Sequence, residues 1–539
     1  MRRGCRSSDI LQCDPALPAA VGCTPLEDLV SSDHAAGQAR PLNRSVLDAL
    51  EIPVPGYDRS NVTVGIVHFG VGGFHRAHQA MYLDQLMNKG VGLDWGIAGM
   101  GVLPGDAAMQ KALEEQDHLY TLVLKHPDGT LEPRVIGSIV DYVLAPAQPE
   151  RAMKVLTAPS TRIVSLTITE GGYNFNQATG RFDETNPGVV HDLEQAQAAE
   201  RGLSAEPPAT VFGLVVEALA QRRAAGVEPF TVMSCDNIQG NGDMAREQFT
   251  AYARLRDPEL AQWIQETVPF PNSMVDRITP VTTDADRELV TREFGVVDAW
   301  PVVCEPFTQW ALEDSFVSGR PPLEDVGVQV VPDVVPYELM KLRLLNASHQ
   351  ALCYPGYLAG YRYAHEVCQD PLFVEYLLAY MDREATPTLQ PVEGVDLHAY
   401  KRQLIERFAN PHVRDTLARL CAESSDRIPK WLVPVIRQNL AAGGDVTLSA
   451  TIVASWARYA EGTDENGQPI DVVDQRKDRV MIAAAQHDDD ELAFIRDPEL
   501  FGDLVEFPEF TTPYLAALRS FRSRGARATI HAAVDGTLA

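Results

Sequence analysis

Lys341, Asn346 and His349 lie within the run Lys341-Leu342-Arg343-Leu344-Leu345-Asn346-Ala347-Ser348-His349, an amine, an amide and an imidazole spaced to share one side of a helix. At about 100° per residue, His349 falls about 80° round the axis from Lys341, and Asn346 lies about 60° beyond His349. All three can converge on one small polar group. The chemistry that suits them is removal of a proton from an alcohol. A lysine desolvated in a pocket has its pKa lowered towards neutrality and becomes a base. Amide and neutral imidazole donors then stabilise the alkoxide and polarise the ketone in reverse, at about 3 kcal/mol per donor in well-organised sites. The plainer alternative is a helix face with a surface Lys, a capping Asn and a packed His.

A second signal lies upstream. Val62 to Phe69 reads as a buried strand, Gly70-Val71-Gly72-Gly73-Phe74-His75-Arg76-Ala77-His78 follows at once, and a helical run continues through Met81, Tyr82 and Leu86. Strand, glycine turn and helix together let backbone N–H groups and a helix dipole hold a pyrophosphate. Phe69, Gly70, Gly72, Gly73, Phe74 and Arg76 are the expected dinucleotide contacts. The spacing departs from GxGxxG, since the third small position is Gly73 or Ala77. A second strand, Trp95 to Met100, leads to a loop carrying Asp106. An acid there accepts hydrogen bonds from a ribose and repels a 2′-phosphate, which favours NAD over NADP. Asp94, before the strand, is less well placed, and Asp106 could instead simply start a helix.

With these blocks in view the chain resembles the polyol-specific long-chain dehydrogenases, the mannitol dehydrogenase family. The resemblance rests on Ile66 to His78, Ser165 to Tyr173, Thr231 to Asn237, Asn272 to Pro280 and the KxxxxNxxH of Lys341, Asn346 and His349. It implies Lys341 as general base without a metal, and Asn346 and His349 as the oxyanion-binding pair. It puts Asn237, Asp276 and Arg419 against the substrate hydroxyls. Glu170 and Glu338 then move the abstracted proton between the buried lysine and water, the alternative for Glu338 being an i,i+3 ion pair with Lys341. The implied reaction is reversible NAD-dependent oxidation of D-mannitol to D-fructose, with D-arabinitol, D-sorbitol or a hexuronate as other substrates for the same chemistry. A small polyol or ketose is thus the expected partner, and the resemblance fits a monomer. Two departures bear on specificity: Gly105 stands where relatives often carry a second acid beside Asp106, and Arg427 replaces a lysine near the substrate end.

Competing signatures fare less well. Tyr337-Glu338-Leu339-Met340-Lys341 fits the YxxxK of short-chain dehydrogenases, but that class's glycine pattern is missing and the chain is much longer. The eight cysteines, at 5, 13, 23, 235, 304, 353, 368 and 421, form no CxxC pair of the kind that holds zinc. His68, His75 and His78 lack acidic partners at ligand spacing and read as strand, turn and helix residues. A noncatalytic NAD-binding redox sensor would have no evident use for the proton-transfer set.

The elements that must position these groups follow from pattern. The 539 residues, 45% of them hydrophobic, suffice for more than one core. Strand-like runs (Val62 to Phe69, Arg162 to Thr169, Thr231 to Cys235) alternate with helical ones such as Val211 to Arg223, which implies a parallel sheet covered by helices. From about residue 331 long helical segments take over, including Glu338 to Leu352, Pro371 to Arg383 and Ala399 to Phe408. The expected class is α/β, with an N-terminal Rossmann-type doubly wound domain over 46–330 and a mostly α-helical domain over 331–539. The catalytic cleft should lie between them. Residues 1–45, with Cys5, Cys13 and Cys23 and no apolar run long enough for a signal peptide, are expected to be a poorly ordered extension, although Leu42 to Pro55 could pack on the domain. The formal charge of −28 and the absence of a Lys/Arg-rich block argue against nucleic acid. No membrane-length apolar run occurs, and a cytoplasmic protein with reduced cysteines is expected.

Overall fold

Five runs in the first half form a helix-covered parallel sheet, four of them buried on both faces and the fifth, at the sheet edge, half-buried. They are β1 (Val64–Phe69), β2 (Gly96–Gly101), β3 (Ile139–Leu144), β4 (Ile163–Leu166) and β5 (Thr231–Ser234). All pair in parallel, in the order β5-β4-β1-β2-β3. The order reverses at β1, so a crevice opens at the carboxyl ends of β1 and β4, where doubly wound sheets bind ligands. This computed structural model describes residues 39–176 and 180–538.

The turn after β1 is forced by glycine. Gly70 has φ +88°, and a Cβ there would lie 2.0 Å from the Thr167 carbonyl oxygen at the end of β4. The chain then makes a short helix, α1 (Gly73–Ala77), breaks at His78 (φ −123°, ψ −89°), and resumes as α2 (Gln79–Asn88). A separate three-stranded sheet follows, with β6 (Ser273–Asp276) antiparallel to β7 (Gln309–Glu313), which runs parallel to β8 (Gln329–Val331). Its role here is to present Val275 and Asp276.

Among the described residues beyond Val335 there are helices and two isolated bridges, Tyr363–Thr416 and Thr463–Pro469, but no strand. The segment that carries the motif is α2's counterpart in importance, and it is not one regular helix. It comprises α3 (Val335–Met340), a π-helical turn over Lys341–Asn346, and α4 (Ala347–Leu358). Nearly every residue of α4 is buried, so it is a core helix rather than an amphipathic surface one. Helix α5 (Leu397–Phe408) brings Phe408 against His349, α6 (Leu417–Cys421) and α7 (Thr447–Ala460) pack against α4, α8 (Pro508–Arg524) backs α7, and Trp456 and Tyr354 stack inside that core.

At the other end, Arg40–Pro41 pairs in parallel with Val296–Val297, and Leu42 is buried beside Val303 and Val290. The chain is thus part of the fold before residue 46. The rest of the expected extension, with Cys5, Cys13 and Cys23, lies in residues 1–38, outside the described residues.

Candidate active site

A cleft of about 760 Å³ separates the two halves. The sheet half contributes the glycine turn (Gly70, Gly72, Gly73, Phe74), Glu170 from the loop after β4, Asn237 from the loop after β5, and Asp276 at the end of β6. The helical half contributes Lys341, Asn346, His349 and Arg419. Residues far apart in the chain therefore meet in one space.

Lys341 is 8% exposed, and its Nζ donates to Val275 O at 2.6 Å and to Asn237 Oδ1. Burial holds its amine below the usual lysine range; Arg407 adds to the lowering, while Asp276 and Glu338 oppose it. The π turn explains why Asn346 joins it. In an α-helix Asn346 would sit about 140° from Lys341. An i→i+5 turn holds one more residue and brings position i+5 back towards the azimuth of i. His349 follows from the next turn. Its imidazole is kept neutral, well below its ordinary pKa, first by burial and then by Arg419, Arg407 and Arg427.

Two buried atoms here have no hydrogen-bond partner: Asn346 Nδ2 and His349 Nε2. Buried polar groups are rarely left unpaired, and both side chains belong to residues that line the cleft together with Lys341. An oxygen atom bound there would satisfy both.

Glu338 is also buried, and its Oε1 accepts from Gly240 N at 2.9 Å. Burial pushes its carboxyl up to about 7, with Glu313 and Asp243 adding to the rise and the Gly240 N–H and Lys341 opposing it. No ion pair joins it to Lys341. Instead Glu338, Lys341 and Asn237 line a crevice of about 20 Å³, room for about one water. Glu170 is solvent-exposed on the cleft rim. The loop that carries it is pinned by buried Asp236, which accepts from Thr169 N at 2.8 Å and from the Tyr173 hydroxyl at 2.8 Å.

Asp276 is buried and accepts from Arg407 Nη1 at 2.8 Å. Arg419 is half in solvent and anchored by Asp415, its Nε donating to Oδ1 at 2.6 Å. Arg427 lines the same end, held by the Leu420 carbonyl at 2.9 Å.

Three expected cofactor contacts stand apart from the cleft lining. Arg76 is turned inward: its guanidinium is wholly buried, donates to the Gly72 and Trp300 carbonyls, and lies 5.2 Å from the Tyr120 ring centroid. It braces the turn rather than facing a ligand. The Phe69 side chain packs in the sheet core. Asp106 does begin a helix, and its Oδ2 accepts from Val102 N and Leu103 N, each at 2.9 Å, while Oδ1 takes neither bond. It sits at the carboxyl end of β2, next to the strand that carries the glycine turn.

The histidines are held by ordinary contacts. His68 bonds Ser165 Oγ at 2.8 Å and stacks on His75, and His78 bonds the Gln309 carbonyl at 2.9 Å. Tyr337 donates its hydroxyl to Glu393 O at 2.8 Å, away from Lys341, so the YxxxK match has no geometric counterpart.

The mannitol dehydrogenase Rossmann domain matches residues 64–325, and the mannitol dehydrogenase C-terminal domain matches residues 333–521. The chain belongs to the mannitol dehydrogenase family. Relatives include the mannitol 2-dehydrogenase of Neosartorya fischeri, 43% identical over 90% of this chain and 96% of that protein. That of Aspergillus fumigatus is 45% identical over 84% and 89%. Among solved structures, the Pseudomonas fluorescens mannitol 2-dehydrogenase ternary complex with NAD and D-mannitol is 45% identical, covers 91% of this chain and 99% of its own, and superposes with a TM-score of 0.79. D-Sorbitol dehydrogenase in substrate-free form is 38% identical over 91% and 100%, with a TM-score of 0.84.

Within this mannitol dehydrogenase fold, sequence reasoning missed Asp236, which ties down the Glu170 loop, and Arg407, which grips Asp276. Asp236 was visible in the block Thr231 to Asn237 but had no distinguishing spacing. Arg407 carried no signal, because it lies on an amphipathic helix whose acidic partners are more than a hundred residues away in the chain.

Proposed function

We propose that this protein is an NAD-dependent polyol dehydrogenase that interconverts D-mannitol and D-fructose, with Lys341 as the general base. The observation that carries the reading is the buried Lys341 amine beside two unpartnered donors, Asn346 Nδ2 and His349 Nε2, in a cleft that runs on to the glycine turn. The mannitol 2-dehydrogenases at 43–45% identity and the NAD and D-mannitol complex of the Pseudomonas enzyme support the choice of substrate and cofactor.

The sheet half suits a dinucleotide. Space remains around Gly72, where the nearest atom to an added Cβ would be 3.8 Å away, and the first N–H groups of α1 have no intrahelical acceptor. Asp106 Oδ1 is available to a ribose hydroxyl. When bound, NAD supplies the hydride acceptor. The chain's own residues do the rest. Lys341 takes the hydroxyl proton from the carbon being oxidised, and Asn346 and His349 donate to the oxygen as its charge grows. Asn237, Asp276 and Arg419 meet the remaining hydroxyls, so that an analogue lacking one leaves a site group unpaired. Glu338, near neutrality in its proton affinity, receives the proton from Lys341 across the adjoining crevice, and Glu170 hands it on at the rim.

The division of labour follows a boundary near residue 330, with 46–330 holding the cofactor and 331–539 the base. No helix among the described residues is long and apolar enough to cross a membrane. We assign the protein to the cytoplasm as a monomer acting on a small polyol. The test is NADH formation by purified protein on D-mannitol, D-arabinitol and D-sorbitol, with D-fructuronate assayed in reverse, comparing NAD(H) with NADP(H) in EDTA. Strong EDTA-resistant mannitol oxidation with NAD is expected. Turnover of another substrate alone would redraw the hydroxyl contacts and keep the mechanism; no turnover of any would favour an NAD-binding sensor.

A further inference from the structure

Arg407 ends α5 in the helical half, yet its guanidinium reaches two carboxylates of the sheet half. Nε and Nη2 donate to Glu305 Oε2 and Oε1 at 2.9 and 2.8 Å, and Nη1 donates to Asp276 Oδ2 at 2.8 Å. The guanidinium carbon lies 3.8 Å from the Phe307 ring centroid. Side-chain exposures are 5% for Arg407, 6% for Asp276 and 2% for Glu305, so the cluster is sealed from solvent.

The geometry divides the guanidinium into two functions. A two-pronged bond to Glu305 and a stacked ring fix the plane of the fork. The third direction is then set, and with it the angle of the Asp276 carboxylate. Asp276 lines the cleft, and its Oδ1 takes none of these bonds. We propose that Arg407, clamped by Glu305, is a positioning residue that aims Asp276 at the polyol and offsets the charge of that acid beside Lys341. The inference rests on the polyol dehydrogenase reading and adds a residue to it.

The charged groups around Lys341 are few. Asp276 and Glu338 favour its protonated form and Arg407 disfavours it; His78 and His349, also nearby, are kept neutral by burial. Loss of Arg407 leaves Asp276 acting on the lysine unopposed. It also frees the carboxylate to turn, which affects binding of the polyol more than binding of the dinucleotide at the far end of the cleft.

Arg407→Met, Arg407→Lys and the double variant Arg407→Met with Glu305→Gln would be compared with the wild type by circular dichroism, steady-state kinetics and pH profiles of kcat/KM. The KM for D-mannitol should rise about tenfold or more in all three, because one partner of a buried charged pair is lost or misplaced. The KM for NAD should not change. In Arg407→Met the rising limb of the profile should move to higher pH, whereas Arg407→Lys, which keeps the charge but cannot span both acids, should leave that limb near its wild-type position. The double variant removes one positive and one negative charge together, so it remains informative where the single methionine variant does not fold. A mannitol KM unchanged, a KM for NAD raised in parallel, or a limb that stays put in Arg407→Met would overturn the proposal. Failure of the wild type to turn over any of the polyols would instead sink the underlying reading; polyol turnover with indifferent Arg407 variants would sink only the clamp.

Discussion

In the proposed mechanism Lys341 is the residue on which the chemistry turns, because it is a buried amine with two fixed acceptors and a lowered pKa. Lys341→Ala should reduce kcat by about 10²–10⁴, the usual contribution of a positioned acid or base. NAD affinity, measured by titration of protein fluorescence, should stay nearly unchanged, since the glycine turn and Asp106 belong to the other half. Equal loss of NAD binding would argue against a base separate from the cofactor site. The wild-type profile follows with its sign: activity needs the neutral amine, so kcat/KM should fall as pH drops through the lysine's lowered pKa. Gly105 offers a test of cofactor choice. It has φ −65°, and an added Cβ there meets nothing within 4 Å, so an acid can be introduced without strain. Gly105→Asp should lower kcat/KM with NADP relative to NAD while leaving the thermal midpoint unchanged. If the ratio does not move, Gly105 does not face the 2′-position.

The glycine turn between β1 and α1 carries the strongest prediction about an element. At Gly70 a methyl group would need a left-handed backbone and would strike the Thr167 carbonyl. Gly70→Ala should cost more than about 1 kcal/mol of stability by chemical denaturation and should weaken NAD binding. A variant as stable as the wild type would mean that β1 and β4 can part at their ends. This turn was legible in the sequence because a strand, glycines and a helix stand in contiguous order. KxxxxNxxH was legible for the same reason, since one short run holds all three side chains. Other parts had no such local trace. The π turn over Lys341–Asn346 depends on where the surrounding core accepts an extra residue, and Leu and Arg at its middle favour an ordinary helix equally well. Arg76 sits where a phosphate contact would be natural by spacing, yet the Trp300 carbonyl, far along the chain, turns it inward. The regular helix expected over Glu338 to Leu352 is likewise interrupted at the residues that matter.

At the scale of the whole molecule, the buried titratable groups set how stability depends on pH. His68 and His78 are each held down to about 3 by burial, and burial also holds His75 and His349 well below 6.5. Each is neutral in the fold and becomes charged in the unfolded chain near pH 6.5, so its contribution is fully present above 6.5 and is lost as pH falls from there towards the folded value. Glu338 and Glu384 have the opposite effect. Burial raises both to about 7 from 4.5, so their contribution is fully present below 4.5 and is lost as pH rises towards 7. Between pH 6.5 and 4.5 these four histidines, joined by His118 and His365, lose stability while Glu338 and Glu384 regain it; burial also raises Asp84, Asp236, Asp298 and Glu305, but N–H donors, the Tyr173 hydroxyl or the Arg407 guanidinium oppose the rise in each. The thermal midpoint should therefore be higher at pH 6.5 than at pH 5. The formal charge of −28 pulls the other way, because protonation on acidification relieves self-repulsion, but that term is screened by salt whereas the buried imidazoles are shielded from it. Scanning calorimetry at both pH values in low and high salt separates the two. A midpoint that falls at pH 5, and falls further in high salt, is the expected result; one that climbs at pH 5 in low salt but not in high salt would show that surface charge governs the acid side of the stability curve, and one that climbs in both would show that the buried carboxyls outweigh the imidazoles.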